Sequence, residues 1–502
     1  MSAVDGNLFA QVEARADPAA PFIESDDGRS FTYSDLFALS ARYARALGAA
    51  GVRPGDRVAG QLEKSPEAYV LWLAVARMGA AWLPLNTAYQ PAEVEYFLRD
   101  AEPAVLVCDP AHLDERRALA RACGVGEVLT LGADGRGTLA DRAQAEPAEF
   151  ATVARAADDL AAILYTSGTT GRSKGAMLTH RNLLQNGDAI ARAWGFGRGD
   201  ALLHALPLFH THGLFISANC ALLTGSWMLF QRRFDVDRLV DAMPRATVVM
   251  GVPTFYTRLL DCPRFDRAAC RTVRLFVSGS APLLAETSRQ FAERSGQVPL
   301  ERYGMTEAVV ITTNPLRGER RAGSVGQPVE GVELRIADPD DRPLPRGQTG
   351  MIQIRGPAVM KGYWRNPEKT AEEFAPGGWF RTGDLGVQSE DGYVSIVGRA
   401  KDLVISGGYN VYPKEIELAI DALPGVVESA VIGVPHRDLG EAVTAVVVRR
   451  DPALTEADVV RALKEQLASY KVPKRVHFAA ELPRNAMGKV LKSKLRETYG
   501  GG

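Results

Sequence analysis

The stretch YTSGTTGRSKG, Tyr165 to Gly175, follows the apolar run AAIL and precedes AMLTHRNLL. Gly168, Gly171 and Gly175 allow backbone conformations and close approaches that a residue with a Cβ resists. Amides in such a turn can converge on phosphate oxygens, while Thr166, Ser167, Thr169, Thr170 and Ser173 offer hydroxyl donors and Lys174 a point charge. The spacing is not that of GxxxxGK followed by Ser or Thr, because Ser173 precedes the lysine and Gly175 follows it. A phosphate cradle is one reading, and a polar turn between surface elements is the other. The run ILY reads as a strand and LTHRNLL can open a helix, so the glycines lie where the chain reverses.

The rest of the chain must supply a scaffold for that turn. With 502 residues, 46% hydrophobic and 24% charged, it has globular proportions and enough length for two or more domains. Its 59 basic and 60 acidic residues leave a formal charge of -1, so no global field draws it to nucleic acid or an anionic membrane. Anion recognition must be local. The N-terminal MSAVDGNLFAQVEARADP lacks the pattern of a secretory signal, and YVLWLAVARMGAAWLPL is interrupted by Arg77 and too short to span a bilayer. A cytoplasmic protein with no membrane or nucleic-acid partner is the expectation. Cys108, Cys123, Cys220, Cys262 and Cys270 form no CxxC pair and read as buried or incidental thiols.

Short apolar runs alternate with amphipathic stretches through roughly the first 330 residues: RVAGQL, EAYVLWLAVARMGA, AAWLPL, AVLVCD, ERRALARACG. That alternation predicts an α/β arrangement with largely parallel sheets. From Val332 the segments VELRIAD, MIQIRG and YVSIVG, separated by DPDDRPLPRG and SEDGY, predict β-rich structure with turns. Near the end, Thr455 and Asp458 fit a capping box, and Val459, Leu463 and Leu467 give the helix behind it an apolar face. A boundary is expected near Arg399 to Lys401, followed by a domain of roughly a hundred residues.

Further motifs follow the glycine turn: VSGSAPL from Val277, ERYGMTE from Glu301, FRTGDLG from Phe380, GRAKDLVISGGYNVYPKEIE from Gly398 and PRNAMGKV from Pro483. Together with YTSGTTGRSKG they resemble, in order and over nearly the whole chain, the acyl-adenylate-forming superfamily of acyl-CoA synthetases, luciferases and nonribosomal peptide adenylation domains. The resemblance implies an α/β fold: a large N-terminal domain (1–398) with two mixed α/β sheet subdomains and a β-barrel-like subdomain, a hinge at 399–402, and a small mobile α+β C-terminal domain (403–502). It also implies a two-step reaction with ATP, CoA and Mg²⁺, in which a carboxylate attacks the α-phosphorus of ATP and a thiol then takes the acyl group from acyl-AMP.

Carried over by motif, Thr166, Ser167, Gly168, Thr169, Thr170, Gly171 and Lys174 would hold the β- and γ-phosphates. Thr306 and Glu307 would meet the α-phosphate, with Glu307 binding Mg²⁺, a hard cation suited to carboxylate, water and phosphate oxygens. Gly279, Ser280, Ala281 and Tyr303 resemble the adenine-binding segments, and Glu301, Gly304 and Met305 belong to the same nucleotide-contacting stretch. Asp384 would grip the ribose hydroxyls with Arg399 beside it, although an Asp in TGDLG also suits a turn. Lys489 would stabilise charge during adenylation, where the bland reading of the residue is a solvated surface lysine. Lys401 would lie at the hinge about which the C-terminal domain rotates, bringing Gly407, Gly408 and Tyr409 to the site for thioester formation. SGGYN alone also reads as a β-turn.

For the acid, GVPTFYTRLL places Arg258 on a predicted helix, and Arg302 lies three residues before Met305. Both stretches resemble malonyl-CoA synthetases, in which arginines here bind the distal carboxylate. A guanidinium fork matches a carboxylate and keeps its charge. His210 and His212 in LPLFHTHGL match that subfamily too, His210 as a gate to the pantetheine tunnel and His212 as a pocket donor; Ser278 joins the substrate-binding set. The bland reading of Arg258 is a surface pair with Asp261. One departure stands out: Ala308, Val309, Val310, Ile311 and Thr312 replace the Thr and Met-Asn-Thr common after YGMTE, which leaves methylmalonate open. The expectation is a malonate:CoA ligase, with malonate or a close dicarboxylate as substrate, working as a monomer or homodimer; a short-chain monocarboxylate:CoA ligase or a noncatalytic acyl-adenylate sensor are the alternatives.

Overall fold

Ser65 caps a helix that opens with Pro66 at its first position, runs Pro66–Arg77, and is buried along its whole length. Proline there sacrifices only an amide that has no intrahelical partner. Arg77, the break in the apolar run, is compensated: its guanidinium donates to Phe37 O, Ser40 Oγ, Glu13 and Phe150 O. This helix belongs to a computed structural model that describes residues 6–166, 173–406, 409–485 and 488–500. Ser167, Gly168, Thr169, Thr170, Gly171, Gly407 and Gly408 lie outside the described residues. The chain divides into two compact units: residues 1–322, 326–333 and 355–374 in one, and 323–325, 334–354 and 375–502 in the other.

The first unit holds two sheets. In the six-stranded one, Glu127–Thr130, Val105–Cys108, Arg57–Gln61, Ala81–Pro84 and Leu160–Thr166 are parallel neighbours, and Lys174–Thr179 closes the edge antiparallel to Leu160–Thr166. In the nine-stranded sheet, Leu300–Tyr303, Leu275–Ser278, Val248–Gly251, Ala201–His204, Trp227–Phe230 and Pro21–Ser25 run parallel, flanked by short antiparallel strands. Most positions of these strands are buried, and Val105–Cys108, Ala81–Pro84, Val248–Gly251, Leu275–Ser278 and Leu300–Tyr303 are buried throughout, the pattern of a parallel sheet covered on both faces.

The glycine turn therefore joins two antiparallel strands. The sequence reading lacks the second of them, Lys174–Thr179; the helix that LTHRNLL predicts does form, as His180–Ala193, with Thr179 and Asn182 making its capping box.

In the second unit, Thr349–Arg355, Trp379–Gln388 and Val394–Arg399 pair antiparallel in the expected barrel-like sheet. The C-terminal segment builds its own α+β layer, in which Val426–His436 and Gly440–Arg449 form a long hairpin and Arg475–Ala479 adds a parallel strand. Its core gathers Ile416, Ile420, Val431, Val443, Val459 and Leu463. The predicted capping box of Thr455 and Asp458 opens the helix Glu456–Gln466, with Val459 and Leu463 fully buried. The mixed α/β class read from the sequence is the class observed. Among the described residues no helix is long and apolar enough to cross a membrane, and all five cysteines are free thiols, Cys123 alone being only partly buried.

Candidate active site

Strand Lys174–Thr179 is gripped on its free edge by residues 361–364. Lys361 N donates to Met177 O (3.0 Å), Met177 N to Gly362 O (2.9 Å) and Trp364 N to Gly175 O (2.7 Å). A β-carbon on Gly175 would come within 2.7 Å of Ile163 Cγ2 and 3.3 Å of Trp364 Cβ, so glycine is required by packing. This pairing delivers Tyr363, whose hydroxyl donates to Glu307 Oε1 at 3.1 Å. Thr166 Oγ1 lies 3.4 Å from the same carboxylate oxygen. Lys174 Nζ sits 5.0 Å from the centroid of the Tyr363 ring and 3.8 Å from Glu373, which also pairs with Lys369 at 3.0 Å. Burial, then the charge of Lys369, pushes the Lys174 ammonium down, while Glu373 and Glu307 oppose the shift. Two cations, two acids and a phenol thus flank the ends of the glycine turn.

No group of three or more His, Cys, Asp or Glu side chains able to hold a metal occurs among the described residues. A single buried carboxylate with a neighbouring hydroxyl fits a hard cation that keeps waters and takes oxygens from a phosphate ligand.

The second cluster lies at the carboxyl ends of the nine-stranded sheet, where open α/β sheets bind ligands. Arg302, on Leu300–Tyr303, is only 5% exposed, and its Nε and Nη2 have no hydrogen-bond partner among the described residues. Its guanidinium packs on Gly279. Burial, opposed by Tyr256 and Cys220, pushes it down to about 10. His212 is fully buried, with Nδ1 3.1 Å from Ser280 Oγ and Nε2 unpartnered among the described residues. Burial first, then the charge of Arg302, holds the imidazole far below its usual range, so it is neutral. Ser280 reaches this position at a φ of 72°, in the left-handed region, and the buried Ser278 Oγ is also unpartnered among the described residues. His210 Nδ1 accepts from His212 N (3.1 Å), and Thr211 Oγ1 donates to Thr306 Oγ1 (3.5 Å).

The ERYGMTE stretch turns sharply behind its strand. A β-carbon at Gly304 would lie 1.9 Å from Val309 O, and Val309 itself has a φ of 58°, unusual for a β-branched residue. Ala308, Val309, Val310 and Ile311 are all buried. Glu301 accepts from Leu283 N at 3.4 Å, tying the strand to the turn after Ala281. Tyr303 is buried, and Met305 O accepts from Ala308 N.

Arg258 stands apart. It lies on the exposed side of the helix Pro253–Asp261, with its guanidinium carbon 5.8 Å from the Phe234 ring centroid, and no ion pair with Asp261 forms among the described residues.

In the second unit, Asp384 and Arg399 face one another across adjacent strands, Nε to Oδ1 2.7 Å, and Asp384 is 3% exposed. The turn of Lys489 is fixed by Asn485, whose Oδ1 accepts from Lys489 N (3.0 Å) and whose N donates to Lys489 O (3.0 Å). Arg484 braces it further, donating to Gly488 O (2.6 Å) and pairing with Glu428. Lys489 keeps contact with water, yet the protein crowded round it, then Arg399 and Lys401, push its ammonium down to about 8 against the pull of Asp384 and Asp402. Burial first, then Arg399 and Arg496, lower Lys401 against Asp402 and Asp384, and Asp402 pairs with Arg496 at 2.7 Å. Tyr409 is exposed and stacks on Tyr470, ring centroids 4.7 Å apart.

The structure thus brings Thr166, Lys174 and Glu307 together, then Arg302, Gly279, Ser280 and His212, and separately Asp384, Arg399, Lys401 and Lys489. Tyr363 and Glu373 are absent from the sequence reading. The only signal for Tyr363 is KGYW, an aromatic pair behind a glycine, which carries no sign of a partner 56 residues away, and Glu373 is one of two adjacent acids in AEEF with nothing to single it out.

A family model described as AMP-binding enzyme matches residues 10–364, and one described as AMP-binding enzyme C-terminal domain matches residues 415–489. The structure is similar to that of ATP-bound MatB from Rhodopseudomonas palustris, with a TM-score of 0.97, 55% identity and 99% of each chain covered. In sequence the chain is 38% identical over 492 residues to a feruloyl-CoA synthase from Amycolatopsis sp, covering 97% of both. It is 33% identical over 520 residues to a malonate–CoA ligase from Arabidopsis thaliana, covering 94% of this chain and 85% of that one.

Proposed function

The chain belongs to the AMP-binding enzyme family, and on that premise we propose that it is an ATP-dependent malonate:CoA ligase acting through malonyl-AMP. It is an AMP-forming acid–thiol ligase that uses ATP and CoA. The choice of acid rests on one observation, the buried guanidinium of Arg302 with Nε and Nη2 unpartnered among the described residues. An uncompensated buried charge is costly, and a carboxylate is its natural complement. A monocarboxylate would spend its only charge on the α-phosphorus. Malonate has a second carboxylate for Arg302, with neutral His212 and Ser280 as further hydrogen-bonding groups. The similarity to a malonate–CoA ligase agrees with this reading. Arg258, exposed in this structure, is a secondary contact in it.

In the first half-reaction the free carboxylate attacks the α-phosphorus and pyrophosphate leaves. Lys174 and the hydroxyls of the glycine turn hold the outer phosphates, Asp384 the ribose, and Lys489 the charge developing at the α-phosphate. Glu307 and Thr166 would hold Mg²⁺, which supplies charge neutralisation on the triphosphate. In the second half-reaction the CoA thiol takes the acyl group and AMP leaves, with residues 399–402 acting as the pivot and His210 near the thiol's path. The buried apolar run Ala308–Ile311 favours a pocket that also admits methylmalonate.

ATP/pyrophosphate exchange with malonate, methylmalonate, acetate and octanoate in parallel tests the assignment. Malonate or methylmalonate should drive the fastest exchange. Preference for acetate or octanoate would overturn the dicarboxylate assignment.

A further inference from the structure

Lys64 has no role in the chemistry above, yet it is one of the most deeply placed charges in the first unit. It precedes the cap residue Ser65 and is only 7% exposed. Its Nζ lies 2.7 Å from His204 Nδ1, donates to His204 O at 2.9 Å, and sits 4.3 Å from the centroid of the Phe230 ring. Phe230 is the cross-strand partner of His204, so both come from the carboxyl edge of the nine-stranded sheet. The amine's N–H donors thus meet a ring nitrogen, a carbonyl and an aromatic face, and burial pushes this lysine well below its usual range against the pull of Asp26, so the pairing with Nδ1 rests on donation and not on a fixed charge.

The other end of the ring fixes its proton. His204 Nε2 lies 2.9 Å from Gly213 O, and a carbonyl oxygen only accepts, so Nε2 carries the hydrogen. Burial and the adjacent Lys64 hold this imidazole far below its usual range, so it is neutral, and Nδ1 must accept from Lys64. Gly213 lies in the first turn of the helix His212–Ser217 and packs tightly on the chain before it: a β-carbon there would come within 2.1 Å of Pro207 O. The preceding residue is His212, whose ring meets Ser280 in the carboxylate cluster.

We propose that Lys64 and His204 are a buried positioning pair: Lys64, donating to Nδ1, acts with Gly213 O to hold the Nε2–H tautomer of His204, and the hydrogen bond to Gly213 O sets the helical turn that holds His212 at the carboxylate site. This rests on the reading of the Arg302 cluster as the carboxylate site. Neither residue touches substrate. Their effect passes through the helical turn that carries His212, so it falls more on the acid than on ATP, whose side this turn meets only through the long Thr211–Thr306 contact of 3.5 Å.

The test compares His204→Gln, whose amide can still donate to Gly213 O, with His204→Leu, which cannot. Exchange kinetics are run with whichever acid the unaltered enzyme turns over fastest, so a wrong substrate assignment shows in the unaltered enzyme and not in this comparison. His204→Leu should raise the KM for the acid about 10-fold or more with the KM for ATP within about 2-fold, and His204→Gln should recover most of that loss. Equal defects in the two variants, or equal rises in both KM values, would overturn the proposal. Should His204→Leu fail to fold, side-chain ¹⁵N NMR of the histidine-labelled enzyme, with the His204 signal identified by its loss in His204→Gln, decides the tautomer. A single Nε2–H form is expected, shifting to a mixture in Lys64→Met; an Nδ1–H form in the unaltered enzyme, or no change in Lys64→Met, would contradict it.

Discussion

The guanidinium of Arg302 lies so close to Gly279 that a β-carbon on that glycine would come within 2.4 Å of both Cζ and Nε. The glycine is therefore part of how the arginine is aimed. Gly279→Ala should displace the fork and raise the KM for the dicarboxylate about 10-fold, with a smaller change for ATP, as measured by pyrophosphate exchange. An unchanged acid KM would show that the guanidinium finds an equivalent pose.

Lys489 gives a pH prediction. Its ammonium is pushed down to about 8, so the charged form prevails below that pH and is lost as pH rises through it. The kcat/KM for adenylation, which reports the free enzyme, should therefore fall above about pH 8. Arginine keeps its charge, so Lys489→Arg should abolish that alkaline fall even where its rate is lower. A flat profile in the unaltered enzyme through pH 9.5 would contradict a role for the charged lysine.

Removing the side chain should separate the two half-reactions. Lys489→Ala should lower adenylation by about 100-fold or more, the scale of losing a group that stabilises transition-state charge. Thioester formation from supplied malonyl-AMP should stay within about 3-fold of the unaltered rate. Equal losses in both would count against domain rotation about residues 399–402.

Tyr363 hydrogen-bonds Glu307 at 3.1 Å. Its loss in Tyr363→Phe removes one of the contacts that orient the carboxylate, so the KM for MgATP should rise about 5- to 10-fold while that for the acid holds. Titration of exchange rate against Mg²⁺ at fixed ATP checks this; an unaltered Mg²⁺ dependence would dissociate Glu307 from the cation.

What could be read from the residues alone divides by the range of the interaction. Local features were legible: the Thr455–Asp458 cap, the helix opening behind Thr179, and the alternation of buried strands and helices all depend on neighbours in sequence. Strand Lys174–Thr179 was not, because KGAMLT has weak strand character and is held by Leu160–Thr166 on one edge and residues 361–364 on the other. The motif residues were legible as types at a spacing, but the contrast between Arg302 and Arg258 was not. One lies on a buried strand and the other on the open side of a helix, and sequence gives both the same chemistry. Lys64 and His204 were invisible for a similar reason, since 140 residues separate them.

The most direct test of the central claim is the ratio of kcat/KM for malonate to that for propionate, measured by pyrophosphate exchange before and after Arg302→Met. Propionate resembles malonate without the second charge. Arg302→Met should collapse the preference for malonate by about 100-fold, the cost of removing one partner of a buried charge pair, while Arg258→Ala changes it by only about 3-fold. A ratio that survives Arg302→Met, with both acids slowed alike, would contradict the account.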